Sequence, residues 1–254
     1  MLDPRAHGVR FFVLGELKVV GRGYDFTPSA PRLRQMLGLL LVRENQVVTL
    51  ESIISEMWCD NPPRTAVATV QTYIYQLRRG ILGNEDSLVT RKGGYTLSVD
   101  PGALDVHLFE RLADEGEELL QQGRAREASA AFARALELWE GDPLTDTPRG
   151  HILDGYIAVL QERRTQVLMQ RIRAEMISGD EHRLIRELRR CVEFDPYNEW
   201  YHEQLIKALI RTGRRREAAQ SYERLVRLLD DELSIPPSCS VRQLFAENLG
   251  GAAI

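Results

Sequence analysis

Cysteine is scarce: Cys59, Cys191 and Cys239 are the only three in 254 residues. An odd number so widely spaced excludes a disulfide framework and supplies no CxxC pair for zinc or redox work. All three are expected to be ordinary buried or semi-buried thiols. Long apolar runs are missing as well. No segment approaches the ~20 residues needed to span a bilayer, and the start MLDPRAHGVR lacks the basic-then-apolar layout of a secretory signal. A cytoplasmic location is expected. The motifs of catalysis are also absent: there is no GxxxxGK(S/T) phosphate loop, no HExxH, no GxSxG and no glycine fingerprint opening a helix after a strand. No nucleotide or metal cofactor and no enzymatic activity is therefore expected. The five histidines, His7, His107, His151, His182 and His202, lie far apart and read as surface or structural residues.

What is present suits a globular chain of two domains: 254 residues, 43% of them hydrophobic and 28% charged. The net charge of −4 argues superficially against a polyanion partner. Counted by halves it does not. Residues 1–100 hold 12 Lys/Arg against 10 Asp/Glu, whereas residues 101–254 hold 21 against 27, so the acidity belongs to the second part. Only the first part is a candidate for binding nucleic acid.

Periodicity separates the same halves. VRFFVLGELKVV and YDFTP alternate around the turn-prone GRG and predict a small antiparallel sheet. PRLRQMLGLLLVREN then takes helical spacing from Pro31, with Leu33, Met36 or Leu37, Leu40 and Leu41 on one side. TLESIISEMWCD predicts a shorter helix with Thr49 as N-cap, and Asn61-Pro62-Pro63 breaks it, since proline cannot donate and restricts its predecessor. A third helix follows over RTAVATVQTYIYQLRRGIL; GNEDS is a loop, and SLVTRKGGYTLSVD reads as a hairpin turning around Lys92, Gly93 and Gly94.

From about Pro101 the pattern is all helical. GRAREASAAFARAL from Gly123 and GRRREAAQSYERLV from Gly213 share Gly-Arg-x-Arg-Glu-Ala, then an aromatic, Phe132 or Tyr222, and an arginine, Arg134 or Arg224. A weaker copy starts at Gly179, 34 residues before Gly213, which is the tetratricopeptide period, and Pro196 closes it. Glycine frees the turn between two helices, Ala128 and Ala218 allow close approach, and the aromatic fills the gap between hairpins. Acidic DEGEE (114–118) and DDE (230–232) read as solvated helix faces or as contacts for a basic protein surface.

On the third helix Val70, Ile74, Leu77 and Ile81 form one apolar stripe. Opposite lie Thr69, Thr72, Gln76 and Arg79, flanked by Tyr73, Tyr75 and Arg78, with no Asp or Glu among them. A merely solvated face normally mixes both charge signs. Hydroxyls and amides suit base edges, a threonine methyl suits a thymine methyl, and Arg and Tyr suit phosphates. A protein-packing helix is the competing reading. Three helices followed by a hairpin with a basic tip, TRKGGY, make a winged helix-turn-helix, in which Arg91 can enter the minor groove and Lys92 can contact phosphate. The predicted fold class is thus an α+β N-terminal winged helix-turn-helix (residues 1–100) followed by an all-α tetratricopeptide-like domain (101–254).

FFVLGELKVV, RLRQMLGLLLVRENQVVTLESIISEMWCDNPPRTAVATVQTYIYQLRR and LVTRKGGYTLSV together resemble the OmpR-type winged-helix domain as it occurs in the Streptomyces antibiotic regulatory proteins. ALDVHLFERLADEGEELLQQGRAREASAAFARALELWEG and WYHEQLIKALIRTGRRREAAQSYERLVRLLDDELSIPPS resemble the bacterial transcriptional activation domain that accompanies it. The resemblance implies a pathway-specific activator of secondary-metabolite genes that binds direct repeats of double-stranded promoter DNA near the −35 region, as a homodimer or pair of protomers, and recruits RNA polymerase in the nucleoid. It places base contacts on Thr69, Thr72 and Gln76, phosphate contacts on Tyr73, Tyr75 and Arg78, and the wing contact on Arg91; Arg79 and Lys92 join the phosphate group. No receiver domain with a phosphorylatable aspartate is seen, and the helix lacks the arginine cluster common in OmpR-type domains. With so small a positive excess one copy is expected to bind weakly. The alternative is an interaction scaffold whose helical half binds protein and whose winged domain does the same.

Overall fold

The computed structural model describes residues 8–21, 23–80, 87–179 and 181–249, without the side chain of His182. His7, Ile81 and the GNEDS loop up to Asp86, all used above, lie outside the described residues. The chain divides into two compact units, residues 1–122 with 130–170, and residues 123–129 with 171–254.

The first unit opens with the expected sheet: β1 (Arg10–Phe12), β2 (Lys18–Gly21) and β3 (Tyr24–Asp25), antiparallel in that order. Phe11 pairs with Val19, and both are buried on the inner face. Helix α1 (Pro31–Val42) starts with proline at its first turn, where no intrahelical N–H is needed. Its spacing suggested one buried side, yet every residue from Gln35 to Leu41 is buried. Packing on several sides explains this: α2, α3 and β6 all contact α1, and Gly38 leaves room for Leu144 and Leu153. Each such leucine contributes about 1.5–3 kcal/mol by leaving water. Helix α2 (Leu50–Trp58) is capped as predicted, Thr49 Oγ1 accepting from the Ser52 N–H at 3.1 Å. Helix α3 (Ala66–Gly80) follows the proline break, and Ala66, Val70, Ile74 and Leu77 are its buried positions.

The hairpin β5 (Leu88–Arg91) and β6 (Gly94–Leu97) gains an unpredicted third strand, β4 (Val48–Thr49), in the order β4-β6-β5. Two residues are too few to show a period. Gly94 is obligatory there, because a Cβ would lie 2.1 Å from the Val48 carbonyl oxygen.

Two buried carboxylates fasten the rest of this unit. Asp105, at the start of α4 (Asp105–Gln121), accepts from the backbone N–H groups of Val13 at 2.9 Å, Leu14 at 3.0 Å and Val106 at 2.9 Å. Glu56 of α2, 1% exposed, accepts from Gly150 at 2.6 Å and Ile152 at 2.7 Å, at the N-terminus of α6 (His151–Ser178). Those are N–H groups that no helical carbonyl can satisfy, and the helix dipole favours an anion beside them. Phe132 of α5 (Ala125–Leu136) packs over Gly116 of α4, where any Cβ would collide with the ring. Of the acidic DEGEE stretch, Asp114, Glu115 and Glu118 are exposed as a solvated face requires, while Arg163 binds Glu117 and the preceding Glu110 at 3.0 Å and reaches Asp114 at 3.5 Å.

The second unit holds α7 (Glu181–Phe194), α8 (Glu199–Arg211), α9 (Arg215–Leu233) and α10 (Cys239–Asn248) with the end of α6. All three repeat glycines are left-handed, Gly123 at φ +75°, Gly179 at +88° and Gly213 at +74°, which is why each copy begins with glycine. The 28-residue α6 interrupts the 34-residue spacing between the first and second copies. Tyr222 stacks on Phe245 of α10 with ring centroids 4.0 Å apart. Inside, Arg171 pairs with Glu175 and Glu187. The expectation of buried or semi-buried thiols is corrected for two of them: Cys59 and Cys239 are exposed and only Cys191 is half-buried, because the first two sit at helix ends, Cys59 at the positive-φ cap after α2.

Truncating Glu56→Ala leaves the α6 amides unpaired and should cost about 2–4 kcal/mol in urea unfolding. Burial raises the Asp105 carboxyl to about 6, against the pull of its backbone donors. An acid whose pKa is raised on folding holds its proton more tightly in the native state, so this group favours folding increasingly as pH falls from above 6 toward 4, by up to about 3 kcal/mol. The stability difference between wild type and Asp105→Asn should therefore move in favour of wild type between pH 7 and pH 5, measured by denaturant titration at each pH.

Candidate nucleic-acid interface

Once Val70, Ile74 and Leu77 are buried, the 3.6-residue period turns Ala68, Gln71, Thr72, Tyr75, Gln76 and Arg79 outward, and all six are exposed. Thr69, Tyr73 and Arg78 are half-buried at the edges of that face. The helix carries no acidic residue in its first turn and ends on Arg78 and Arg79, whose charge suits the C-terminal end of its dipole. Tyr75 is 57% exposed, and its hydroxyl accepts from Arg79 Nη1 at 2.9 Å, so the tyrosine holds the guanidinium out along the helix.

Arg78 has a second use that its position in the sequence did not suggest. Its Nε donates to the Leu88 carbonyl and its Nη2 to Thr90 Oγ1, both at 2.8 Å, binding α3 to strand β5 of the wing. The wing is held from the other side by β4 and by the Leu50 N–H, which donates to the Gly93 carbonyl at 2.9 Å. Arg91 and Lys92 at its tip are exposed, and among the described residues neither forms an ion pair, nor do Arg64 and Arg79. Four cations without carboxylate partners thus lie along one helix and its hairpin.

The two threonines share a geometry. Thr69 Oγ1 donates to the Thr65 carbonyl at 3.0 Å and Thr72 Oγ1 to the Ala68 carbonyl at 2.9 Å. Each hydroxyl proton is thereby committed within the helix. Gln76 makes no side-chain hydrogen bond to a described residue, and its amide is available as both donor and acceptor. Sequence reasoning omitted Arg64, Ala68 and Gln71, which are exposed on the same helix or at its start. The same helical projection would have found them.

Apolar stripe inward, acid-free polar face outward and a basic hairpin bound alongside are the parts of a winged-helix domain. Residues 27–97 match the C-terminal domain of transcriptional regulatory proteins, and residues 104–249 match the bacterial transcriptional activator domain. Regulatory protein DnrI of Streptomyces peucetius is 37% identical over 241 residues, 91% of this chain and 89% of DnrI. Regulatory protein AfsR of Streptomyces griseus is 34% identical over 96% of this chain, which spans only 25% of AfsR. Among solved structures, Mycobacterium tuberculosis EmbR in complex with a low-affinity phosphopeptide has a TM-score of 0.90 at 26% identity, covering 98% of this chain and 66% of that one. The chain belongs to the Streptomyces antibiotic regulatory protein family, with an OmpR-type winged-helix domain followed by a bacterial transcriptional activator domain. No helix among the described residues is long and apolar enough to cross a membrane.

Replacing Arg79 or Lys92 with alanine should weaken DNA binding evenly across sequences and reduce the slope of log affinity against log salt by about one each. Arg78→Ala should in addition lower fold stability by about 1–2 kcal/mol, read by thermal melting, because it releases the wing.

Proposed function

We propose that this regulator is a sequence-specific transcriptional activator of a secondary-metabolite gene cluster, acting in the cytoplasm on nucleoid DNA. Residues 1–100 read direct repeats near the −35 region of the promoter, and residues 101–254 recruit RNA polymerase. The reading rests above all on the exposed face of α3, a helix with no acidic residue, where Thr72, Gln76 and Arg79 lie beside a wing tipped by Arg91 and Lys92. Thr69, Thr72 and Gln76 face bases, Tyr73, Tyr75, Arg78, Arg79 and Lys92 face phosphates, and Arg91 enters the minor groove. With 12 basic against 10 acidic side chains in residues 1–100, one copy neutralises few phosphates, so two protomers on adjacent repeats share the load. Repeats in one direction place them head to tail rather than about a two-fold axis.

Footprinting on the promoters beside its own gene should show two protected segments of like orientation. The combined variant Thr72→Ala, Gln76→Ala and Arg91→Ala should lose on the order of 100-fold in affinity for them, each good contact contributing about 1–3 kcal/mol. Unchanged binding would overturn the residue assignment. Retention of partner proteins without any sequence preference on DNA would favour the scaffold alternative.

A further inference from the structure

We infer that Thr69 and Thr72 recognise thymine through their methyl groups, and that the operator positions facing the first two turns of α3 carry thymines whose C5 methyls are part of what is read. The inference rests on the DNA-reading function proposed above and concerns the chemistry of that same face.

Its starting point is the pair of hydrogen bonds from Thr69 Oγ1 to the Thr65 carbonyl and from Thr72 Oγ1 to the Ala68 carbonyl. With its proton committed, a threonine hydroxyl offers a base only lone pairs. Guanine presents two acceptors, N7 and O6, in the major groove, so neither threonine complements it. What remains to each side chain besides those lone pairs is its methyl group, on exposed Thr72 and on Thr69 half-buried at the edge of the face, and the neighbourhood supplies more of the same. Thr65 and Ala68, both exposed, lie one turn before Thr69 and Thr72, so four methyl-bearing residues cover the first two turns with no charge among them. These turns are where a recognition helix most often meets base edges. An uncharged methyl surface is complementary to the one apolar group of the major groove, the thymine C5 methyl. The adjoining amides of Gln71 and Gln76, exposed on the same helix, have the donor and acceptor that adenine requires, so methyl and amide together suit A·T pairs.

The test uses the full chain and a duplex selected by it from a randomised pool. Each thymine of the selected sequence is replaced in turn by uracil, which removes the methyl and leaves the pairing edge unchanged. Wild type should lose about three- to ten-fold in affinity at one or two positions, as expected for a methyl contact. Thr72→Val, which keeps a methyl and lacks the hydroxyl, should retain that preference within about two-fold of wild type. Thr72→Ser, which keeps the hydroxyl alone, should bind the thymine and uracil duplexes equally at one of those positions. A wild type indifferent to uracil everywhere, or a serine variant that discriminates where the valine variant does not, would overturn the inference and leave sequence-specific binding standing. A selection that yields no common sequence would overturn both.

Discussion

Much of the first unit depends on a carboxylate where none would be tolerated alone. Glu56 is buried on α2, and the energy of removing its charge from water is offset by backbone N–H groups at the start of α6. The approach is close on both sides: at Gly150 a Cβ would lie 2.3 Å from the Glu56 carbonyl oxygen. Behind Glu56, Gln35 donates to that carbonyl and accepts from Arg32, so the buried polar atoms of α1 and α2 form one satisfied chain. A helix that also carries Thr49 as its cap and touches α3 is thus fixed at both ends. The acid-free face of α3 has a rigid support as a result.

Asp105 repeats the arrangement on the N-terminal sheet, accepting from Val13 and Leu14 where the strand has ended. Both carboxylates bind main-chain donors, with His151 Nδ1 also 4.0 Å from Glu56. Main-chain N–H groups are fixed in direction and do not titrate, so each contact specifies a backbone path. The surface arginines behave differently: Arg163 gathers three acids, while Arg64, Arg79, Arg91 and Lys92 have none among the described residues. Internal acids are therefore held by the fold, and the cations of α3 and the wing are among those left without a carboxylate, on the face where a polyanion would meet them.

Much of this was legible in the sequence, because it lay in local patterns. Thr49 declared its cap, Pro62 and Pro63 their break, Gly93 and Gly94 their turn, and Gly123, Gly179 and Gly213 the starts of their repeats. Local patterns failed where packing came from afar. Glu56 and Gly150 are separated by 94 residues, so nothing near either one announces the pair. Arg78 looked like one of several surface cations; its bonds to Leu88 and Thr90 depend on where the hairpin returns. Helix α1 looked amphipathic but is enclosed, since the residues that cover Gly38 come from beyond position 140. On α3 the polar face was found and its hydroxyl orientation was not, because a threonine in the sequence does not reveal whether it bonds to its own helix.

The close approach of Gly94 to β4 also limits how this wing can vary. Register on the β6 side is locked by backbone against backbone, with Gly94 opposite Thr49 and Tyr95 opposite Val48. A single residue inserted there would turn every following side chain to the opposite face of the sheet. The turn at Gly93 is tied as well, by a carbonyl that accepts from the Leu50 N–H at 2.9 Å and by a φ of +82° that favours glycine. What stays free at the tip is the pair of exposed side chains, Arg91 and Lys92, so the reach of the wing can change through their length and charge while the strand behind them stays in step with the helix that the wing accompanies.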